Sequence, residues 1–346
     1  MIQSLSGAGR RQEPIFITSA FIINFACYGG GTFQSFGEEL SMQRITVAAD
    51  GSGDYTSVQE AIDAVRVLPL EPVTIFVKNG IYREKIIVPD NKPDITLIGE
   101  SAEGTVLSYG DYANMIHADG KPYGTFRTPT LTVAADRITV ENVTVENTAG
   151  WGPDIGQALA LYVSGDRVAF RGVRLLGNQD TVYTSRGRQY FCECYIEGHV
   201  DFIFGSATAF FDRCEIHSLR AGYITAASTH EDDPHGYVFL DCRLTGSAPE
   251  GTVFLGRPWR PHASTVFVNT WMGPHIKPEG WDNWRNPDNE RTARYGEFGS
   301  IGPGAAGERA PWARKLDAAE AAELTVRSVL AGPDGWAPDV ERAGAE

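Results

Sequence analysis

Basic residues are scarce in this chain: 30 Lys and Arg stand against 44 Asp and Glu, for a formal charge of −14. That imbalance argues against a nucleic acid or an anionic membrane as partner, since both require a positive surface. It also fits poorly with an acidic polysaccharide, unless local groups meet the acids or the acids are masked. Histidine is sparse as well. The seven histidines, His117, His199, His217, His230, His235, His262 and His275, form no His-x-His or His-Glu-x-x-His pattern, which disfavours metal-assisted hydrolysis. No Gly-x-Ser-x-Gly elbow is present, so a serine hydrolase lacks its best sign.

Cysteine is limited to Cys27, Cys192, Cys194, Cys214 and Cys242, with no Cys-x-x-Cys spacing that would suit structural zinc. Cys192 and Cys194, two apart, share a face if their segment is a strand. Cys214 and Cys242 are either a disulfide in an oxidising compartment or buried free thiols, and both readings stay open. Long apolar runs are missing too. Ile15–Cys27 is interrupted by Thr18, Ser19 and Asn24 and is too short for a comfortable membrane helix. With Arg10-Arg11 before it and Gly29-Gly30-Gly31 after it, the run has the layout of a secretory signal. The alternative is an N-terminal extension, residues 1–41, ahead of a domain that starts near Met42 and enters a strand at once. The expected organisation is therefore 1–41, a main domain over 42–340, and a tail over 341–346.

What the chain does have is repetition. Its 346 residues are long for one ordinary domain but normal for a solenoid, and 42% hydrophobic residues suffice for a substantial core. The segment Arg137–Asn147 aligns with Arg167–Gly177, and the pattern returns at Tyr190–Gly198, Phe210–Ser218 and Val238–Gly246. Val143, Val173, Cys194, Cys214 and Cys242 then occupy one column, at offsets of 30, 21, 20 and 28 residues. A period-2 apolar pattern recurring at this interval predicts stacked β-coils, each burying its inner face on its neighbours. A β-sandwich would need Asn-Gly or Asp-Gly hairpins between these strands, and few are present. Ser57–Val65 reads as a helix with a Ser-x-x-Glu capping box that covers the first coil. Asp317–Leu330 reads as one amphipathic helix with Ala322, Val326, Val329 and Leu330 on one side, Leu324 off the stripe.

The chemistry concentrates in acids, amides and one arginine. Asp180 lies in Gly177-Asn178-Gln179-Asp180-Thr181-Val182-Tyr183, and Asp201 in Gly198-His199-Val200-Asp201-Phe202-Ile203-Phe204-Gly205. They stand 21 positions apart, about one coil, which predicts two carboxylates side by side in an apolar setting. Such a pair splits its pKa values, leaving one group an acid and the other an anion. Gln157 and Gln179 are amide donors, and Arg257 is a candidate partner for Asp201. Taken singly, a buried Asp–Arg pair is often structural, and glutamines often only bridge loops.

Together these residues carry a resemblance. Gly156-Gln157-Ala158-Leu159-Ala160-Leu161, the two segments around Asp180 and Asp201, and Leu255-Gly256-Arg257-Pro258-Trp259 resemble the four signature segments of the pectin methylesterases, in order and at compatible spacing. Gly51–Tyr55, Gly80–Glu84, Glu146–Gly150 and Pro278–Trp281 agree as well, so the resemblance spans about residues 44 to 336. It implies a single-stranded right-handed parallel β-helix with short capping helices. It also implies hydrolysis of the C6 methyl esters of galacturonosyl units in pectin or its oligomers, giving methanol and de-esterified product, by a monomer that needs no metal or other cofactor. Asp201 would be the nucleophile, Asp180 the general acid and then base, Gln157 and Gln179 the oxyanion donors, and Arg257 the group that orients Asp201. Thr125, Tyr183, Phe204, Trp259 and Trp281 would contact substrate, with Trp284 a further stacking candidate. The segment Trp151–Gly156 is longer than the pattern leads one to expect, and Val182 stands where Leu is commoner.

Other enzymes share a β-helix. A lyase needs calcium-binding acids with an arginine base, and a polygalacturonase a cluster of three aspartates; neither pattern is found, and Glu231-Asp232-Asp233 reads as a solvated loop. A non-catalytic carbohydrate binder would not need both acids, both glutamines and Arg257. With a secretory signal the protein would work outside the cell; with a start near Met42 it would trim methylated oligomers in the cytoplasm.

Overall fold

The computed structural model describes residues 43–338, so the expectations for residues 1–41, for Cys27 and for the tail fall outside it. From the first strand, Gln43–Val47, the chain winds through coils of three short strands each. The strands assemble into sheets of eleven, seven and eight, and every pairing between named strands is parallel. Strand neighbours are one coil apart in sequence, which is a parallel β-helix.

The inner faces make one continuous core because buried apolar residues recur down each column. Phe170, Phe191, Phe211, Phe239 and Phe267 pair in register down the eleven-stranded sheet. Their rings stack at centroid distances of 4.8, 4.7, 4.4 and 4.5 Å. The corner into the eight-stranded sheet is built the same way on six successive coils, from Asn142 to Asn269. Asn142, Glu193, Arg213, Asp241 and Asn269 take the left-handed conformation there, with φ between 51° and 53°, and Gly172 does so at 57°.

That corner corrects the reading of the cysteines. Cys192 ends its strand on the outer side, and the turn at Glu193 sends Cys194 into the interior, so the two do not share a face. Cys192, Cys194, Cys214 and Cys242 are all free and buried. The Cys194, Cys214 and Cys242 thiols donate in turn to the carbonyls of Phe170, Phe191 and Phe211, one coil back, at 3.5, 3.4 and 3.3 Å. Of the two readings for Cys214 and Cys242, free thiols hold.

The N-terminal end is covered by a helix, and the C-terminal helices pack along the side. The helix Val58–Ala64 buries Val58, Ala61 and Ile62 against the first coil. Only half of the expected capping box forms: the Ser57 hydroxyl accepts from the Glu60 N–H, and the acid that completes the cap is Glu84. Glu84 accepts from the Ser57 hydroxyl and from the Val58 and Gln59 N–H groups. Lys92 closes the other end by donating to the Ile62 and Asp63 carbonyls at 2.8 Å. At the C-terminal side, the single helix expected over Asp317–Leu330 is two, Ala318–Ala322 and Val326–Leu330. Thr325 starts the second by capping it, which breaks the register, so Ala322 is exposed and Leu324 packs inward. The second helix lies along the outer face of the eleven-stranded sheet, over Ala169, Tyr190, Phe210 and Val238. No described helix is long and apolar enough to cross a membrane. Glu231 and Asp232 are exposed in a turn, as the reading of that loop expected.

Candidate active site

The candidate residues gather on the seven-stranded sheet and the corner that leads into it. Val182 pairs with Ile203 and Tyr183 with Phe204 on adjacent coils. Continuing that register back two residues sets Asp180 beside Asp201, as the spacing predicted. The coils are locked at this corner: the Asp180 N–H donates to Val200 O at 3.1 Å and the His199 N–H to Asn178 O at 2.9 Å. Both aspartates are left-handed, with φ of 64° and 51°. Aspartate tolerates that conformation better than most residues because its short polar side chain bonds locally. The glycines bracketing Asp201 have steric reasons. A Cβ on Gly198 would lie 2.3 Å from the Phe202 Cβ, and one on Gly205, at φ 130°, would lie 2.0 Å from the Thr184 carbonyl oxygen.

Only 8% of each aspartate is exposed. Arg257 grips Asp201 with two parallel bonds, from Nε to Oδ1 at 2.8 Å and from Nη2 to Oδ2 at 2.6 Å. The guanidinium is itself held flat between two rings, its carbon 3.8 Å from the Tyr223 centroid and 3.7 Å from that of Trp284. Burial pushes the Asp201 carboxyl up and Arg257 opposes it, while the Asp201 charge helps keep Arg257 protonated. A bidentate guanidinium contact favours the carboxylate, so Asp201 is the anion of the pair. Asp180 lies well above the usual carboxylate range, first through burial and then through repulsion by Asp201, with Arg257 a weaker opposing influence. Two adjacent acids are thus biased to opposite protonation states.

Gln157 and Gln179 lie half-buried on neighbouring coils, where the Gln179 carbonyl accepts from the Ala158 N–H at 3.2 Å. An aromatic floor extends beyond the acids along the strands. Tyr183 stacks on Phe204 at 4.7 Å, and Trp259 meets Phe204 edge-on at 5.7 Å. Thr125 sits in a single 3₁₀ turn, Thr125–Arg127, whose Phe126 ring lies 5.0 Å from that of Tyr183. Trp281 is elsewhere. It is 3% exposed and packs between Phe267 and Tyr295 at the C-terminal end of the core, so its ring is not offered to a ligand. Its neighbour Trp284 is the one at the site, against Arg257.

Sequence reasoning missed Tyr223, Phe126 and Lys85. Tyr223 could have been found by extending the repeat to Gly222–Ala227, since Ile203 pairs with Thr225 and Asp201 therefore aligns with Tyr223. Lys85 follows the Gly80–Glu84 motif. Its Nζ donates to Asp111 at 2.7 Å, to the Tyr123 hydroxyl at 3.2 Å and to the Arg127 carbonyl, which fastens the loop carrying Thr125 and Phe126. No sequence signal links those partners.

Comparison with known proteins agrees with this arrangement. The pectinesterase family model matches residues 44–333. Pectinesterase 31 of Arabidopsis thaliana is 43% identical over 292 residues, covering 83% of this chain and 92% of its own. The pectin methylesterase of Erwinia chrysanthemi superposes with a TM-score of 0.76 at 32% identity, covering 86% of this chain and 99% of its own. A pectin methylesterase solved in complex with a hexasaccharide gives a TM-score of 0.77 at 32% identity, with the same coverage of 86% and 99%. Fold, motif order and the paired acids with their arginine converge on one assignment: the chain belongs to the pectinesterase family.

Proposed function

We propose that this protein hydrolyses the C6 methyl esters of galacturonosyl units in pectin or its oligomers, releasing methanol. The observation that carries the reading is the pairing of an arginine-held carboxylate, Asp201, with an adjacent buried acid, Asp180. Asp201 attacks the ester carbonyl and forms a tetrahedral oxyanion, to which the Gln157 and Gln179 side-chain amides donate. Each such donor is worth roughly 3 kcal/mol of transition-state stabilisation. As the C–O bond to the methoxy group breaks, Asp180 gives its proton to the leaving oxygen and methanol departs. The galacturonosyl carbonyl is left as an acyl ester on Asp201. Asp180, now the anion, takes a proton from water, whose oxygen attacks the acyl carbon and releases the acid product with Asp201 restored. Arg257 stays protonated throughout and holds the nucleophile in line. Thr125, Tyr183, Phe204 and Trp259 supply substrate contacts on the aromatic floor.

The protein is proposed to act as a monomer outside the cell, on the signal-like layout of residues 10–31. Size-exclusion and N-terminal sequencing of secreted material test those two points.

The reaction is tested by methanol release from highly methylated pectin, comparing wild type with Asp201→Ala and Asp180→Ala. Release that vanishes in Asp201→Ala supports the reading. Release unaffected by that change, or unsaturated or reducing-end products in place of methanol, sinks it.

A further inference from the structure

We propose that Trp151 is an accessory sugar platform, on which a second galacturonosyl ring of the bound polymer stacks, away from the reacting unit. This rests on the function proposed above and concerns how far along the polymer the enzyme reaches.

Trp151 is 55% exposed, yet it is firmly backed. The Arg220 guanidinium lies over its ring, 4.1 Å from the centroid, and His199 meets it edge-on at 6.1 Å. Arg220 is itself tied down by an Nη1 donation to Asn178 Oδ1 at 2.9 Å. The loop beneath is compact. Gly150, Gly152 and Gly156 take positive φ, the Gly156 N–H donates to Gly152 O, and Asn114 donates to the Pro153 and Ile155 carbonyls. The Arg220 cation over its ring and the buried His199 ring packed at a steep angle brace the indole, and just over half of it stays open to solvent. An isolated exposed aromatic needs no explanation, but one braced on one face presents a low-entropy contact for a flat partner on the other.

Its place completes the case. Asn178 and His199 each precede a catalytic aspartate by two residues, on the side of the eight-stranded sheet. Tyr183 and Phe204 each follow one by three, on the seven-stranded sheet. Trp151 and the aromatic floor therefore flank the acids from opposite sides. A ligand touching both must extend beyond one sugar ring, so the occupant is the same polymer that fills the cleft.

The test compares full-length wild type, Trp151→Ala and Trp151→Phe on long, highly methylated pectin and on short methylated oligogalacturonides. We expect Trp151→Ala to raise KM for the polymer about fivefold to tenfold, with kcat changed less than about twofold and the short substrates unaffected. Trp151→Phe should fall between. Equal changes on long and short substrates, a loss confined to kcat, or no change would overturn the proposal, the first two by showing that Trp151 acts only through Asn178. Binding is read without catalysis by electrophoresis through gels containing methylated pectin. Asp201→Ala should be retarded, and Asp201→Ala with Trp151→Ala markedly less so. Equal retardation of the two overturns the platform, whereas absence of methanol release from wild type overturns the proposed reaction instead.

Discussion

Arg257 holds both carboxylate oxygens of Asp201, at 2.8 and 2.6 Å, while two aromatic rings clamp its own plane. A lysine provides neither the fork nor the flat stacking surface. Arg257→Lys should therefore lower kcat by about a hundredfold or more. Arg257→Ala should also destabilise the fold by about 3–5 kcal/mol at neutral pH, because it strands a buried carboxylate. That cost should shrink in acid, where Asp201 can take a proton; denaturant unfolding at two pH values checks it.

Asp180 must be protonated before the first step and Asp201 ionised. Activity should thus fall at high pH as Asp180 loses its proton, and at low pH as Asp201 gains one. Asp180→Asn should cost about 10²–10⁴ in kcat and remove the alkaline limb from whatever activity remains. The stability effect has a definite sign. The folded-state pKa of Asp180 is raised, so its favourable contribution is complete below the unfolded-state value and is lost as pH climbs through the folded one. The Tm of Asp180→Asn relative to wild type should accordingly rise with pH across that window and then level off. A difference that stays constant with pH would contradict this.

Lys85 fastens the loop that carries Thr125 and Phe126. Lys85→Met keeps the stem and removes the charge, and should raise KM severalfold while sparing kcat. It should also speed tryptic cleavage after Arg127. Lys85→Arg should restore most of both, since it keeps the pair with Asp111. The stability change should stay near 1 kcal/mol, as expected for a partly exposed ion pair.

A chain of charge −14 repels its own de-esterified product more than its methylated substrate. Activity should fall as substrate methylation falls, and more steeply at low salt, where screening is weaker. Initial rates on pectins of graded methylation at two ionic strengths measure this; flat rates would rule it out.

The described thiols should be inert. Burial pushes Cys192, Cys194 and Cys214 up, away from the reactive thiolate. A thiol reagent should reach Cys192, Cys194, Cys214 and Cys242 only on unfolding, and a reductant should leave Tm unchanged; peptide mapping after labelling distinguishes them from Cys27.

Much of this was legible in the sequence because a solenoid writes its geometry along the chain. The recurrence of Val and Cys at coil spacing located one core column, and the interval between Asp180 and Asp201 located the acid pair. Legibility failed where a turn or a distant contact intervened. The left-handed turn at Glu193 separated Cys192 from Cys194, and a local cap at Thr325 split a helix that periodicity alone reads as continuous. The burial of Trp281, three residues before a half-buried Trp284 that reaches the site, is set by how one loop closes the end of the core, which no local pattern encodes. The clamp at Lys85 joins partners 26 to 42 positions away and leaves no periodic trace.

The left-handed corners at Asp180 and Asp201 are mounted on the same parallel ladder that holds the coils together. The separation of acid and nucleophile is therefore a lattice constant of the fold rather than the setting of a movable loop. Heat cannot spoil that alignment by softening one segment in advance of the rest. Loss of catalysis on warming should follow the melting of the ladder itself, so that the inactivation temperature reads out the cohesion of the whole solenoid.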